Sequence, residues 1–156
     1  MKYIFALILI FAAVVGLGFL GVYYSLWPTS LNDKAIVLSD DKLSLLYEIE
    51  LERKFDAAPD EFYFGAPNEA IRAEAELAVN AIISGAIKKL IINPQKSTIL
   101  AHFKSTLASI DHFDSEEKDR ALFYLERVLD IVDVNDSEEL FNVWRYGFPY
   151  GWFIEA

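Results

Sequence analysis

The sequence predicts an all-α protein, in which an N-terminal transmembrane helix is followed by a compact bundle of about five helices. Three observations support this fold class. An uncharged apolar run opens the chain, later segments repeat apolar residues at helical spacing, and acidic capping sequences precede two of those segments. Since no stretch alternates convincingly as a strand, we expect no sheet.

The opening segment carries no charged residue from Tyr3 to Trp27. A helix rises about 1.5 Å per residue, so this length can cross a hydrocarbon core of about 30 Å. Aromatic residues stand at both ends of the run, and Pro28 ends it, as is typical of a membrane span. We therefore predict a membrane anchor at residues 1–28, crossing the bilayer through residues 3–27.

Two alternatives compete with this anchor. A cleaved secretory signal needs a site of small residues after the apolar run, whereas Gly16-Leu17-Gly18 lies in the middle of the run. A buried helix of a soluble protein is the other alternative. Lys2 and the amino terminus oppose Lys34 and Lys42 across the span, and we expect the N terminus inside. This predicts a single-pass inner-membrane protein with a periplasmic C-terminal domain.

The chain after the anchor is strongly acidic. Of the 14 basic residues only Lys2 precedes Trp27, and all 24 acidic residues follow it, so the remainder has 13 basic residues and a formal charge of −11. Nucleic acid and anionic lipid faces would be repelled, whereas a basic protein partner would be attracted. The absence of cysteine fits an envelope protein and a cytosolic one equally well.

A tether is predicted at residues 29–38, followed by an acidic helical domain at residues 39–156. Ser39 is a suitable N-cap for a helix that continues through the ambiguous stretch YEIELE. The proline-rich and aromatic segment 56–69 is predicted to be a loop, with Pro67 at the head of the next helix.

The helix predicted from about residue 68 to 91 has one face of mostly small residues, which lets a neighbouring helix approach closely. That face contains Ile71, Ala75, Ala78, Ile82, Gly85 and Ala86. Asn93-Pro94 begins a further helix. Its apolar side comprises Ile99, Leu100, Phe103, Leu107 and Ile110.

Two capping boxes are predicted near the C terminus. Asp114-Ser115-Glu116-Glu117 opens a helix to about residue 134, and Asp136-Ser137-Glu138-Glu139 opens a short last helix that Gly147 ends. On this last helix, Phe141 and Trp144 lie three positions apart, and we expect both in the core.

No catalytic motif is recognisable, and we predict no catalytic residues, no cofactor and no metal site. The stretch GLGFLG matches a dinucleotide-binding pattern in letters only, because it lies inside the apolar span. The histidines, His102 and His112, are too far apart to form a zinc site together. Asp111, His112 and Asp114 form a weak cluster that keeps a small-ligand or hydrolytic site open as an alternative.

Phe123 is the most informative irregularity, because it projects among charged residues on an otherwise amphipathic helix. Either the aromatic C-terminal tail of the same chain or a foreign protein should cover it. Exposed aromatic residues of the loop and the tail are further contact candidates. The predicted partner-binding residues are Phe62, Tyr63, Phe64, Phe123, Tyr150 and Trp152.

Two short sequences, EFYFGAPNEAIR and NVWRYGF, resemble a small uncharacterised bacterial family, domain of unknown function 4844, over about residues 43–148. The similarity lies in the turn Tyr63-x-Gly65-Ala66-Pro67-Asn68 and in Trp144-Arg145-Tyr146-Gly147. This resemblance implies no catalytic residues.

Together these observations predict a membrane-anchored, periplasm-facing helical module that binds a basic protein partner. An immunity protein that neutralises a secreted antibacterial toxin is the most concrete version of this function. An accessory subunit of an envelope complex is an alternative of the same class. A small-ligand-binding or hydrolytic enzyme with an unrecognised site is an alternative of a different class.

Overall fold

The computed structural model describes residues 2–26, 29 and 31–147, and within them it contains six α-helices and no strand. The helices are α1 (Lys2–Leu26), α2 (Asp40–Leu51), α3 (Glu69–Ile92), α4 (Lys96–Thr106), α5 (Ser115–Ile131) and α6 (Leu140–Tyr146). Two short 3-10 helices lie at Pro59–Glu61 and Leu107–Ile110. The predicted all-α class, with an apolar N-terminal helix before a bundle, is confirmed.

Helix α1 contains the apolar segment Tyr3–Ser25, which has a mean hydropathy of 2.8 and buries none of its side chains against the rest of the protein. By length and composition this segment is able to cross a membrane. A signal sequence near an N terminus would pass the same test.

Helix α3 organises the bundle, since it packs against α2, α4 and α5. Helix α6 closes the bundle where Phe141 meets Phe103 of α4, with ring centroids 5.8 Å apart. Phe141 is buried as predicted, and Trp144 is half-buried against the same core. The side chains at the centre of the core are fully buried, among them Leu46, Ile83, Leu90, Ile99, Phe103 and Leu125.

The small face of α3 allows α4 to approach at Gly85. A Cβ atom on Gly85 would lie 2.6 Å from Cε1 of His102, so the histidine ring occupies the space that a side chain would need. Nε2 of the buried ring lies 2.8 Å from the carbonyl oxygen of Ile82 and donates to it. Burial lowers the pKa of His102, which keeps the imidazole neutral. His102 therefore has a packing role.

The observed helix caps agree with the prediction for α2 and differ from it for α3 and α5. Ser39 caps α2 as predicted, and its Oγ accepts from the backbone N–H of Lys42 at 3.3 Å. Pro67 does not begin α3, because Asn68 is the N-cap and its side chain accepts from the N–H of Ile71 at 3.0 Å. The first capping box is wrong in detail, since the Asp114 side chain makes no capping hydrogen bond.

The second predicted capping box instead forms a buried ionic network. Glu138 is buried with a positive φ of 50°, and α6 begins only at Leu140. Its carboxylate receives the ammonium of Lys96 at 2.9 Å and the backbone N–H of Thr29 at 3.0 Å. The hydroxyl of Thr29 donates to the same carboxylate. The chain that leaves α1 is thereby tied to the bundle.

The segment after α1 also pairs with the turn between α3 and α4. Ala35 forms an isolated antiparallel bridge with Gln95. The N–H of Ile36 donates to the carbonyl of Pro94 at 2.8 Å, and Ile36 itself is buried. This segment, part of the predicted tether, therefore packs on the bundle near α4.

Candidate protein-binding site

The loop at residues 52–68, which we call the aromatic loop, begins at a buried lysine. Lys54 is 0% exposed, and its ammonium donates to the carbonyls of Glu52 at 3.0 Å and Glu50 at 3.3 Å, and to that of Ile49. The last carbonyls of a helix lack intrahelical donors and carry partial negative charge, so the ammonium satisfies the end of α2. Burial lowers the pKa of Lys54.

The backbone of Lys54 is held by α3. Its N–H donates to Oε2 of Glu76 at 2.6 Å, and its carbonyl accepts from Nη1 of Arg72 at 3.1 Å. The buried Arg72 also pairs with Glu76 at 2.6 Å and with Glu69 at 2.8 Å. The hydrogen bond to Glu69 raises the pKa of Arg72, so this guanidinium stays charged. The start of the loop is therefore fixed by hydrogen bonds from both sides.

Phe55 adopts a left-handed backbone conformation, with a φ of 63°, although its ring is fully buried. Such a conformation costs of order 1–3 kcal/mol for a residue other than glycine, and it persists only where surrounding contacts enforce it. Here the N–H of Phe55 donates to the hydroxyl of Tyr124 at 3.1 Å, and the two ring centroids lie 5.5 Å apart. Helix α5 thus holds the strained turn.

The tip of the loop is closed by two hydrogen bonds between the backbones of Ala58 and Tyr63, at 2.8 and 3.2 Å. Phe62 has a φ of 57°, and Gly65 has a φ of 89°. A Cβ atom on Gly65 would lie 3.0 Å from the backbone nitrogen of Ala57, so glycine is required there. This backbone leaves the rings of Phe62 and Phe64 90% and 81% exposed, while Tyr63 between them is buried.

A shallow groove of about 240 Å³ lies between the loop tip and α5, and we call it the aromatic groove. The guanidinium of Arg120 lies 4.4 Å from the ring centroid of Phe123 and 5.2 Å from that of Tyr63. Such stacking of a cation on rings is favourable. The residues that line the groove are Glu61, Phe62, Tyr63, Glu116, Asp119, Arg120 and Phe123.

The groove carries more negative than positive charge, with three carboxylates and one guanidinium in its lining. Arg120 pairs with Glu61, and Asp119 pairs with Arg145 at 2.5 Å. Glu116 has no cationic partner within residues 31–147. A cationic group from outside would therefore find an unpaired carboxylate here.

Burial favours the neutral form of two side chains at the groove, Tyr63 and Glu117. Burial raises the pKa of Tyr63 to about 12, and the nearby carboxylate of Glu117 adds to this rise. The Tyr63 hydroxyl has no hydrogen-bond partner in the described part of the chain. Glu117 is buried as well, and burial raises the pKa of its carboxyl group. A phenol with this pKa stays protonated at neutral pH and is a poor general base.

The structure brings together three of the predicted contact residues, because Phe62, Tyr63 and Phe123 line one groove. Phe64 lies on the same loop but outside this lining. Tyr150 and Trp152 fall outside the residues that the structure describes.

Sequence reasoning missed the residues that support these aromatic rings. Arg120 precedes Phe123 by three positions on α5, and helical spacing alone places such residues side by side. This spacing is enough to predict that the Arg120 guanidinium lies beside the Phe123 ring. Lys54 gave no such signal, since its partners are backbone carbonyls.

The weak cluster of Asp111, His112 and Asp114 does not converge. His112 is exposed and pairs with Glu74 at 3.1 Å, whereas Asp111 pairs with Lys118 at 3.1 Å. Over residues 2–26, 29 and 31–147, no three histidine, aspartate or glutamate side chains are grouped so that they could hold a metal ion. His112 and Asp111 thus point to different partners.

Comparison with protein families matches residues 37–149 to a domain of unknown function, DUF4844, which confirms the resemblance found in the two sequence motifs. Among solved structures, the chain is similar to a DUF3571 family protein from Acinetobacter baumannii, with 24% sequence identity and a TM-score of 0.63. That similarity covers 74% of this chain and 96% of the other, and it concerns the fold alone. Comparison with curated proteins gives no match.

The support of the aromatic loop by α5 is tested by the substitution Tyr124→Phe. This change removes the oxygen that accepts from the N–H of Phe55 and from Nε of Arg120, and it leaves a buried N–H without a partner. We expect the free energy of unfolding to fall by about 1–3 kcal/mol. Urea unfolding of the full chain in detergent, followed by circular dichroism, measures this change.

The matched control is Tyr47→Phe, since Tyr47 is 46% exposed on α2. Its free energy of unfolding should change by less than about 0.5 kcal/mol. Equal effects of the two substitutions, or no effect of Tyr124→Phe, would contradict the role assigned to the Tyr124 hydroxyl.

Proposed function

The chain belongs to the DUF4844 family, and we propose that it is a membrane-anchored protein-binding module that contacts its partner through the aromatic loop and the aromatic groove. One observation carries this proposal. The rings of Phe62 and Phe64 are 90% and 81% exposed on a backbone that buried hydrogen bonds hold in a strained conformation. Exposed rings on a rigid support are typical of binding surfaces.

A basic segment of another protein fits this surface best. The groove contains the unpaired carboxylate of Glu116, and the chain after residue 27 carries a formal charge of −11. Such a field attracts a basic partner over distance and accelerates the encounter. In such a segment, an apolar side chain would contact the phenylalanine rings, and a neighbouring lysine or arginine would pair with Glu116.

The same geometry favours binding over catalysis. Tyr63 stays protonated at neutral pH, and the guanidinium of Arg120 is already engaged by Glu61. Neither group is then available as a base or as an electrophile. The site offers shape, rings and charge, which are the means of recognition.

An immunity role is the version of this proposal with the sharpest biological consequence. In that version the basic partner is a toxin, and occupation of the aromatic groove blocks its action. Expression of the partner alone would then stop growth, and co-expression of this protein would restore it. If growth depends on neither protein, the immunity role is wrong, and an accessory subunit of an envelope complex remains as the proposed function.

We also propose that α1 anchors the protein in the inner membrane and that the domain faces the periplasm. Because the chain has no cysteine, the variant Ser44→Cys places a single thiol on an exposed position of α2. A membrane-impermeant maleimide should label this thiol in intact spheroplasts, and the labelled chain should keep its full-length mass. Labelling only after lysis would contradict the orientation, and a chain shortened by the apolar segment would contradict the anchor.

The contact surface is tested by photo-crosslinking from residue 64, with residue 77 as the control. Leu77 is 73% exposed on α3 and lies outside the lining of the groove. A photoreactive amino acid at position 64 should capture one basic protein in cells, whereas the same group at position 77 should not. Mass spectrometry identifies the captured protein, which is then purified.

The affinity of that partner should depend on Phe62. A central aromatic contact is worth about 2 kcal/mol or more, so Phe62→Ala should raise Kd roughly thirtyfold without lowering the melting temperature. Leu77→Ala should leave Kd unchanged, and added salt should weaken the wild-type complex. A Kd unaffected by Phe62→Ala would overturn the proposed contact surface.

A further inference from the structure

Four exposed lysines form no salt bridge within residues 2–26, 29 and 31–147, and they are Lys34, Lys88, Lys89 and Lys104. The other basic side chains that the structure describes pair with carboxylates or, for Lys54, with backbone carbonyls. In so acidic a domain, four cations without a salt bridge require an explanation.

Three of these lysines belong to segments that lie near the turn between α3 and α4. Lys88 and Lys89 lie in the last turns of α3, which ends at Ile92. The carbonyl of Lys34 accepts from the N–H of Lys96, the first residue of α4, at 2.9 Å. The segment after α1 therefore runs directly beside the end of α3.

Lys104 places the fourth cation next to the point where α1 ends. It lines a shallow pocket of about 220 Å³ together with Tyr23, Thr29 and Leu100. Tyr23 belongs to the last turn of α1, and Thr29 follows that helix. Lys104 thus lies beside the end of the apolar helix, and the segment that follows this helix carries Lys34.

Exposed apolar side chains lie among these lysines. Ile92 is 83% exposed, Leu31 67% and Ile91 54%. The acidic residues close by are already engaged: Asp33 accepts from the N–H of Ser97 at 2.9 Å, and Asp136 pairs with Lys96. Unpaired cations and apolar side chains on one face are typical of a surface that lies on a bilayer.

We propose that this membrane-facing surface, formed by the four lysines with Leu31, Ile91 and Ile92, rests on the bilayer and binds anionic phospholipid headgroups. The proposal rests on the proposed membrane anchoring by α1. Continuity with that helix and opposite charge identify the occupant as the lipid surface. The overall acidity of the domain, which repels anionic lipid from its other faces, orients this surface towards the bilayer.

The orientation has a consequence for the aromatic loop. Lys54, at the start of the loop, is held by Arg72 and Glu76 in the first turns of α3, whereas Lys88 and Lys89 lie in its last turns. A helix of 24 residues is about 36 Å long at 1.5 Å per residue. With α3 standing on its C-terminal end, the aromatic loop is presented away from the membrane surface.

The test uses the full chain in nanodiscs, either of phosphatidylcholine alone or of phosphatidylcholine with phosphatidylglycerol. Ile92→Cys and Phe64→Cys each give a single thiol for a polarity-sensitive fluorophore. We expect lipids with spin-labelled headgroups to quench the probe at position 92 in discs that contain phosphatidylglycerol. The probe at position 64 should not be quenched.

Charge variants complete the test. Replacing the four lysines by glutamine should reduce quenching at position 92 to the level at position 64. A control variant, Lys42→Gln with Lys118→Gln, removes two cations that are paired with carboxylates and should leave quenching unchanged. Equal quenching with and without phosphatidylglycerol would overturn the recognition of anionic lipid.

Two results distinguish a failure of the membrane-facing surface from a failure of the membrane anchor. A chain that stays in the nanodisc but shows no quenching at position 92 would overturn the membrane-facing surface and leave the anchor intact. A chain that does not stay in the nanodisc would contradict the anchor and this inference together.

Discussion

The position of the aromatic loop depends on one buried ammonium group, that of Lys54. This group satisfies carbonyls at the end of α2, and the backbone on either side of it is bound by Arg72 and Glu76 of α3. An ammonium without these partners would be costly to bury, so the loop cannot leave this arrangement without exposing it to water or losing its hydrogen bonds. The exposed phenylalanine rings and the groove beside them are consequences of this constraint.

Helix α3 connects the two surfaces that we assign to function. Its first turns hold the aromatic loop, and its last turns carry Lys88, Lys89 and the exposed isoleucines. Both surfaces expose apolar side chains, but the charges around them differ in sign. The groove contains the unpaired carboxylate of Glu116, which suits a basic protein, whereas unpaired lysines suit anionic lipid. Although the domain is acidic overall, the aromatic groove is negatively charged and the proposed membrane-facing surface is positively charged.

The fold class could be predicted because apolar periodicity along the chain reports directly which helix faces are buried. Buried charged groups could not be predicted in this way. Lys54 and Glu138 look like ordinary exposed residues in the sequence, and only the folded chain brings their partners to them. Glu138 lies inside the capping box that the spacing of Asp136 and Glu139 predicts, but its carboxylate binds Lys96 and Thr29. Phe123, predicted to need cover from the tail or from a partner, is partly buried against the core, and the guanidinium over its ring belongs to Arg120.

We propose that the aromatic loop is held rigid before any partner binds, and amide hydrogen exchange of the free full-length chain tests this rigidity most directly. The N–H groups of Phe55, Ala58, Tyr63 and Ala66 all donate hydrogen bonds within or beneath the loop. We expect these amides to exchange slowly, as those of α5 do. Exchange at the rate of an unstructured chain across residues 54–66, with α5 still protected, would contradict it.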